Sequence, residues 1–305
     1  MIKPAYVTFG IMKKIRLFAV VGPTATGKTE YGIRLAKQLD GEIISCDSMQ
    51  IYKDVSIGTA KPDKTEMQGI PHHMMDIVDI GVKFSVAQYV SMARKCIADV
   101  TARGKTPIIV GGTGLYFNSL VDNIDFCEGA EDVRLRESLR QKAQNEGNEA
   151  VLSLLRAIDP ETADKLHPNN LGRIIRAIEV YTTTGKTMSQ AVMESRLAPS
   201  PYDPVIFGLT AQDRRVLYDR IERRVDIMMQ KGLEREALYV LRSAPGSTCA
   251  QAIGYKEFIP YFNNECDISA VAGAIKLNTR HYAKRQLSWF RRDDRIRWIN
   301  IDGTE

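Results

Sequence analysis

Apolar and polar positions in the first part of the chain alternate between two periods. Nearly continuous aliphatic runs predict buried strands at residues 16–21, 42–46 and 107–110. Residues 30–39 have helical spacing, and Ser85 can cap a second helix that stops at Gly104. Strands alternating with helices predict an α/β fold with a parallel, doubly wound sheet. Binding sites in such sheets lie beyond the carboxyl ends of the strands.

The pattern changes after residue 131. Helical spacing then recurs without a strand, at residues 132–145, 149–158, 171–184 and 186–196. Three prolines end this region, at positions 199, 201 and 204, and a strand follows at 205–209. Two long helices at 213–232 and 268–292 and a strand at 295–301 complete the pattern. The sequence therefore predicts a core of residues 12–125 and 200–305, interrupted by an all-helical insertion domain of residues 126–199.

Composition supports a folded globular protein. The 305 residues are 44% hydrophobic and 26% charged, and no apolar run approaches the roughly 20 residues of a membrane-spanning helix, so we expect no membrane association. Five widely spaced cysteines without a C-x-x-C pair favour neither a disulfide framework nor a zinc site and fit a reducing cytoplasm. Met1 and Met12 are both candidate starts, and a start at Met12 would leave residues 1–11 as a disordered leader.

The net charge of +5 is concentrated near the C-terminus, where residues 211–305 carry 17 Lys and Arg against 13 Asp and Glu. Between residues 280 and 298, arginines and lysines are interleaved with aromatic residues. This mixture suits phosphate contacts and base stacking in a nucleic acid. A solvated amphipathic helix with its aromatic residues in the core would give the same pattern.

A glycine-rich loop joins the first predicted strand to the first predicted helix and matches the pattern G-x-x-x-x-G-K-[ST]. It consists of Gly22, Pro23, Thr24, Ala25, Thr26, Gly27, Lys28 and Thr29. Glycines let backbone N–H groups converge on phosphate oxygens, Lys28 adds a charge, and the hydroxyl of Thr29 can hold Mg²⁺. An ordinary glycine turn is the alternative.

The later strand differs from that of ATPases and GTPases, which usually ends in an Asp near the metal. Here the strand at 107–110 runs into a second glycine turn that contains Thr113. The loop can therefore hold a diphosphate without hydrolysing a nucleotide. Asp47 follows the strand at 42–46 and should project from the same edge of the sheet, although it could also simply cap the next turn with Ser48.

Several sequence blocks resemble the tRNA dimethylallyltransferases, also called isopentenylpyrophosphate transferases. They are GPTATGKT (22–29), SCDSMQIY (45–52), IGTAKP (57–62), PHH (71–73), VGGTGLY (110–116), HPN (167–169), RIIRAIE (173–179), RIERR (220–224), IGYK (253–256) and KRQLSWF (284–290). The resemblance covers nearly everything from residue 20 to residue 298. Because no Cys/His zinc module follows the core, the sequence resembles the bacterial short form of the family.

This resemblance implies a P-loop NTPase-like core whose helical insertion domain binds tRNA. The implied reaction transfers the dimethylallyl group of dimethylallyl diphosphate to N6 of the adenine immediately 3′ of the anticodon. Lys28, Mg²⁺ at Thr29, Arg224 and, less directly, Arg220 would stabilise the departing diphosphate. A solvated face balanced by Glu222 and Asp226 is the alternative for the two arginines.

By the same resemblance, Asp47 would orient the adenine amine and accept its proton, and Thr113 would lie near the reacting groups. A helix N-cap is the alternative for Thr113. The anticodon stem-loop would contact Asp47, Ser48, Met49, Gln50, Thr113, Arg134, Gly172, Arg173, Ile174, Ile175, Arg176, Gln251, Ala252, Ile253, Gly254, Tyr255 and Lys256, each of which could instead be a solvated or packing residue.

Two other functions use the same loop. One is prenylation of free adenine nucleotides, against which the helical insertion and the basic C-terminal region argue. The other is an RNA-binding module that uses ATP or GTP as a switch. We expect a cytoplasmic monomer that acts on tRNA, with His72 and His73 in structural roles because they have no metal-ligand partners in sequence.

Overall fold

The computed structural model describes residues 14–124 and 131–303, the side chains at positions 196 and 197 excepted. The expected leader at residues 1–11 and Cys127 lie outside the described residues. The chain divides into two compact units. One is Val121–Ser200, and the other comprises the described residues before and after it.

A six-stranded parallel sheet forms the larger unit, with the strand order β3-β2-β4-β1-β5-β6. The strands are β1 (Ile15–Val21), β2 (Gly41–Ser45), β3 (His72–His73), β4 (Thr106–Gly111), β5 (Tyr202–Thr210) and β6 (Ile296–Asn300). In its centre Ala19 lies opposite both Ile109 and Ile206, and all three side chains are buried. Aliphatic runs buried on both faces are typical of parallel strands covered by helices, so the α/β prediction is confirmed.

Helices make up most of the remaining structure. They are α1 (Lys28–Leu39), α2 (Val86–Ala102), α3 (Gly114–Val121), α4 (Val133–Glu146), α5 (Asn148–Ile158), α6 (Pro160–Asp164), α7 (Leu171–Thr184), α8 (Met188–Leu197), α9 (Arg214–Gln230), α10 (Leu233–Ser243), α11 (Ile259–Phe262) and α12 (Ile268–Phe290). A 3₁₀ turn at Lys256–Phe258 precedes α11.

Polar caps explain where several helices begin. Ser85 accepts a hydrogen bond from the Gln88 N–H while the Gln88 side chain accepts one from the Ser85 N–H, which confirms the predicted start of α2. Asp213 caps α9 in a similar way, by accepting a hydrogen bond from the Arg215 N–H. Both positions could be predicted because the capping residue lies next to the helix it caps.

Five elements were not predicted: β3, α3, α6, α10 and α11. Strand β3 has only two residues, and α3 is so apolar that it lacks a helical period. Helix α10 carries the stripe Leu233, Ala237 and Val240, but it follows α9 after only a short turn that ends at Gly232. Short or uniformly apolar segments give little periodic signal, which accounts for β3 and α3.

The second unit contains only helices among its described residues, namely α4 to α8. Its core consists of apolar side chains from α4, α5, α6 and α7, and Val151, Leu155 and Ile174 are completely buried. Within the described part of the chain, no helix has the length and apolar character required to cross a membrane.

Gly111 at the end of β4 leads to a testable prediction about the sheet edge. A Cβ at Gly111 would lie 2.1 Å from the Cys46 carbonyl oxygen, immediately before Asp47. We expect Gly111→Ala to separate β2 from β4 and to lower the apparent Tm by about 5–10 °C in a thermal melt. Gly273→Ala, in open space within α12, is the control and should raise the Tm slightly. A melt of Gly111→Ala that matches wild type would contradict the close contact between Gly111 and the Cys46 carbonyl.

Candidate active site

Three loops leave adjacent strands at the same edge of the sheet. The 22–27 loop follows β1, a turn at 46–50 follows β2, and a glycine turn at 111–113 follows β4. Because β2, β4 and β1 are parallel neighbours, these loops meet beyond their carboxyl ends. The glycine loop, Asp47 and Thr113 therefore lie in one region, although they are distant in sequence.

The 22–27 loop has the conformation expected of a phosphate cradle. Gly22 has a φ of +136°, and a Cβ there would lie 2.4 Å from the Leu209 carbonyl oxygen. Gly27 has a φ of +81° and precedes α1 without a side chain that could cap the helix. The first N–H groups of α1 and the positive end of its dipole are therefore left for an external acceptor.

Some side chains of the GPTATGKT segment (22–29) bond within the loop, and some line the adjacent cavity. The Thr26 hydroxyl and the Lys28 ammonium both donate hydrogen bonds to the Pro23 carbonyl oxygen, at 2.9 and 2.6 Å. Thr26 is buried, so its hydroxyl closes the loop instead of facing a ligand. The predicted loop residues that line the adjacent cavity are Thr24, Ala25, Lys28 and Thr29.

This first cavity has a volume of about 100 Å³ and lies between the 22–27 loop and the end of β2. Two cations line it, Lys28 and Arg224, and Arg224 lies 3.4 Å from the Thr24 hydroxyl. Desolvation and the nearby Arg224 lower the pKa of Lys28 from 10.5 to about 7, while Asp47 acts in the opposite direction. Burial also lowers the pKa of Arg224. An anion with several charges would relieve the cost of holding these two half-buried cations in one cavity.

A second, larger cavity of about 420 Å³ adjoins the first. Its apolar walls include Met49, Ile221, Val225, Met228, Ile253 and Ile275. The side chains that line both cavities are Thr24, Asp47, Thr59, Arg224 and Tyr282. Asp47 thus stands where a cationic cavity meets an apolar one.

Asp47 has one oxygen engaged in its own turn. Oδ1 accepts hydrogen bonds from the N–H groups of Met49 at 2.8 Å and Gln50 at 3.3 Å. Within the described chain, no protein group donates to Oδ2. The turn-capping role and a ligand-facing role are therefore compatible in the same carboxylate.

Thr113 stabilises the turn that carries Asp47. Its hydroxyl accepts a hydrogen bond from the Ser48 N–H at 3.0 Å, and its own N–H donates to the Cys46 carbonyl oxygen. Thr113 occupies the position before α3, but it lines neither of the two cavities. The Thr113 hydroxyl thus helps to fix the Asp47 turn, and a position of Thr113 beside the reacting groups stays a prediction.

Arg220 and Arg224 have different surroundings, although they lie one turn apart on α9. Arg224 lines both cavities, whereas Arg220 lines a neighbouring groove with Arg223 and Lys231. Arg224, Ala25 and Thr29 line this groove as well, so contact of Arg220 with a diphosphate stays a prediction. The acids considered as partners lie close to α12 instead, with Glu222 3.5 Å from Arg280 and Asp226 2.6 Å from Lys276.

The 251–256 segment forms one wall of the second cavity along its whole length. Gln251 is exposed and Lys256 is half-buried, so both remain candidates for contact with a large ligand. Tyr255 is completely buried, and its hydroxyl donates a hydrogen bond to Glu236 at 2.9 Å. Contact of the Tyr255 hydroxyl with tRNA is therefore not supported.

The candidate tRNA residues of the second unit also separate by exposure. Arg134, Gly172 and Arg173 are exposed. Ile174 and Ile175 pack in the helical core, so the expected tRNA contact does not hold for their side chains. Burial alone would raise the pKa of Glu179, yet hydrogen bonds from Arg136 and Arg176 lower it to about 2, which places Arg176 in a structural ion pair.

Two polar residues of α12 complete the site and were not predicted as site residues. Gln286 accepts a hydrogen bond from the Thr24 N–H at 2.8 Å and donates one to the Gly112 carbonyl oxygen at 2.9 Å, so it joins the two glycine loops. Tyr282, one turn earlier, lines both cavities. The available signal was a glutamine between the apolar residues Ala283 and Phe290 on the buried face of the helix.

The two adjacent histidines make protein contacts. His72 Nδ1 lies 2.8 Å from the Ile70 carbonyl oxygen, and His73 Nε2 lies 2.6 Å from Glu42. Residues 14–124 and 131–303 contain no group of three or more His, Cys, Asp or Glu side chains that could hold a metal ion.

Comparison with known proteins gives consistent results. A family model described as IPP transferase matches residues 50–293. A tRNA dimethylallyltransferase of Caldanaerobacter subterraneus is 46% identical over 291 residues, covering 94% of this chain and 92% of the relative. A tRNA dimethylallyltransferase of Bacillus cereus is 46% identical over 298 residues, covering 97% and 93%.

Solved structures agree with the sequence relatives. The full-length tRNA isopentenylpyrophosphate transferase of Bacillus halodurans superposes with a TM-score of 0.70 at 42% identity, covering 94% of this chain and 90% of that chain. A eukaryotic dimethylallyltransferase acting on tRNA has a TM-score of 0.77 at 30% identity, covering 90% and 70%.

The lowered pKa of Lys28 predicts a pH-dependent effect on stability. Between pH 7 and 10.5 the unfolded chain binds more protons at this position than the folded protein does. The destabilising effect of Lys28 is therefore complete below about pH 7 and fades as the pH rises. We expect Lys28→Met to gain Tm over wild type most near pH 6.5, with the gain shrinking towards about pH 9.

Thermal melts across this pH range check the expectation. Lys37→Met is the matched control, because Lys37 is exposed on the same helix. A stability difference between Lys28→Met and wild type that stays constant with pH, as in the control, would show that Lys28 is not held in a desolvated, cationic environment.

Proposed function

Because the chain belongs to the IPP transferase family of tRNA dimethylallyltransferases, we propose that it transfers the dimethylallyl group of dimethylallyl diphosphate to N6 of the adenine 3′-adjacent to the anticodon in tRNA. The observation that carries this proposal is the position of Asp47. Its carboxylate lies at the junction of a small cationic cavity and a larger apolar one. The first suits a diphosphate and the second suits a flipped base with its acceptor nitrogen.

The first cavity would stabilise the leaving group. As the bond between the allylic carbon and the diphosphate oxygen breaks, both bonding electrons go to the diphosphate. Lys28, Arg224 and the N–H groups at the start of α1 are placed to stabilise this negative charge. A bound diphosphate would also favour the protonated form of Lys28, so the ammonium is charged when it is needed.

Asp47 would act on the other reactant. The exocyclic amine of adenine is a weak nucleophile because its lone pair is delocalised into the ring. As the bond from N6 to the allylic carbon forms, the proton on N6 moves to Asp47, whose Oδ2 is not occupied by the turn. The products are the prenylated adenine and free diphosphate, with one proton taken up by the enzyme.

Thr29 is the side chain we assign to Mg²⁺. Its hydroxyl group belongs to the wall of the first cavity, beside Lys28. One hydroxyl supplemented by diphosphate oxygens is a ligand set that Mg²⁺ prefers and fits a site without a cluster of protein ligands. When bound, Mg²⁺ would neutralise charge on the leaving diphosphate.

The adenine must leave the anticodon-loop stack to reach Asp47. The second cavity provides Met49 and the 251–256 segment along its wall, with Gln251 exposed. The exposed Arg134 and Arg173 are suited to backbone phosphates elsewhere on the tRNA. We infer that the protein works in the cytoplasm, as a monomer.

Replacement of Asp47 by Asn tests the proposed chemistry. Asn keeps an oxygen that can accept the Met49 N–H bond but cannot take up the proton, so we expect kcat to fall about 10²–10⁴-fold. The measurement is mass analysis of tRNA nucleosides after incubation with dimethylallyl diphosphate, together with calorimetric binding of diphosphate, which should persist. Asp54→Asn, an exposed acid nearby, is the control.

The acceptor and the donor are tested in the same assay. Prenyl transfer to AMP in place of tRNA would identify a free-nucleotide prenyltransferase, and ATP or GTP hydrolysis without transfer would identify an NTP-dependent RNA-binding module. Undiminished transfer by Asp47→Asn would rule out Asp47 as the proton acceptor.

A further inference from the structure

A single carboxylate outside the two cavities accepts four hydrogen bonds. Glu236 lies in the first turn of α10 and is half-buried. Its Oε2 accepts the N–H groups of Ser56 at 2.8 Å and Ile57 at 2.9 Å. Its Oε1 accepts the Gly58 N–H at 2.7 Å and the Tyr255 hydroxyl at 2.9 Å. Three successive backbone donors on one carboxylate fix a loop more firmly than side-chain packing alone.

The loop held in this way forms part of both cavities. Within residues 56–62, which we call the 56–62 loop, Ala60 and Pro62 line the first cavity and Gly58 lines the second. Thr59 lines both. The loop therefore helps to set the boundary at which the allylic carbon and the acceptor nitrogen would meet.

The same loop reaches the Asp47 turn through Gln50. The Gln50 side-chain amide lies 3.4 Å from the carbonyl oxygens of Thr59 and Ala60. Gln50 Oε1 accepts a hydrogen bond from Ser45 on β2, and the Gln50 N–H points to Asp47 Oδ1. A displacement of the 56–62 loop would thus change the support of the turn that carries Asp47.

Tyr255 connects Glu236 to the other wall of the second cavity. Its ring lies so close to Gly58 that a Cβ at Gly58 would approach within 2.7 Å of it. Burial and the adjacent Glu236 raise the pKa of Tyr255 far above its usual value, so its hydroxyl remains a donor. Glu236 therefore fixes the distance between the 56–62 loop and the 251–256 segment.

We propose that Glu236 is a positioning residue for prenyl transfer: it holds the 56–62 loop through three backbone amides and thereby keeps Gln50 and Asp47 in position beside the first cavity. Glu236 does not line either cavity, so it acts through the loop. This proposal rests on the proposed function, since the position of Asp47 matters for the reaction only if Asp47 acts on an acceptor.

The test compares Glu236→Gln with Glu234→Gln. Both glutamates lie in the first turn of α10, so both variants remove the same charge from the same helix end. Glu234 is exposed and has no hydrogen bond or ion pair among the described residues. Glu236→Gln instead turns an NH₂ group towards donors, which breaks the support of the loop.

We expect two changes in Glu236→Gln that are absent in the control. Hydrogen exchange measured by mass spectrometry should accelerate in peptides covering residues 56–58, because their N–H groups lose an acceptor. At saturating dimethylallyl diphosphate and tRNA, kcat should fall about tenfold or more, while the dissociation constant of inorganic diphosphate stays within about threefold, because Lys28 and Arg224 are untouched.

A merely structural role gives a different result. Glu236→Gln would then lower the Tm while kcat below the melting temperature equals that of Glu234→Gln, and the proposal would be overturned. Tyr255→Phe, which removes one of the four donors and keeps the ring, should shift kcat in the same direction by a smaller factor, and it decides the question if Glu236→Gln does not fold. Absence of transfer by wild type would instead refute the proposed function.

Discussion

Two half-buried cations that line one small cavity are the constraint on which the rest of the site depends. Lys28 and Arg224 are far apart in sequence, and Arg224 disfavours the charged form of Lys28. Asp47 is the carboxylate that shares their cavity, and a single carboxylate balances only part of this charge. A polyanion such as a diphosphate would supply the missing negative charge, and a neutral ligand would leave the two cations uncompensated. The electrostatics therefore favour a polyanionic ligand independently of any relative.

The parallel sheet makes this arrangement possible. Strands β2, β4 and β1 are neighbours, so the turns that follow them share one edge, where hydrogen bonds from Thr113 and Gln286 tie them together. Asp47 can then serve its own turn with one oxygen and a substrate with the other. A carboxylate fixed in this way needs little reorganisation during the reaction, which is how positioned groups lower a barrier.

Local features of the sequence predicted much of the fold and part of the site. The strand–loop–helix order around Lys28, the Ser85 cap and the helical spacing of α7 all depend on residues close together in the chain, and the structure confirms them. Gln286 and Glu236 could not be predicted, because the hydrogen bonds by which they hold the glycine loops and the 56–58 N–H groups join residues more than 170 positions apart. A buried glutamine or a half-buried glutamate gives no local sign of its distant partner.

The corrections at Ile174 and Ile175 have a common physical cause. A resemblance assigns a segment to a ligand, but a helix turns successive side chains in different directions, so only part of any helical segment can face that ligand. In α7 the apolar stripe separates the buried isoleucines from the exposed Gly172 and Arg173. On α9, equal spacing did not give equal surroundings: Arg224 lines the first cavity and lies 3.4 Å from the Thr24 hydroxyl, whereas Arg220 lines the groove that both residues share. The helical period of a sequence can therefore show which residues of an assigned segment are buried. Which of two exposed residues lies beside a neighbouring loop can be seen only in the structure.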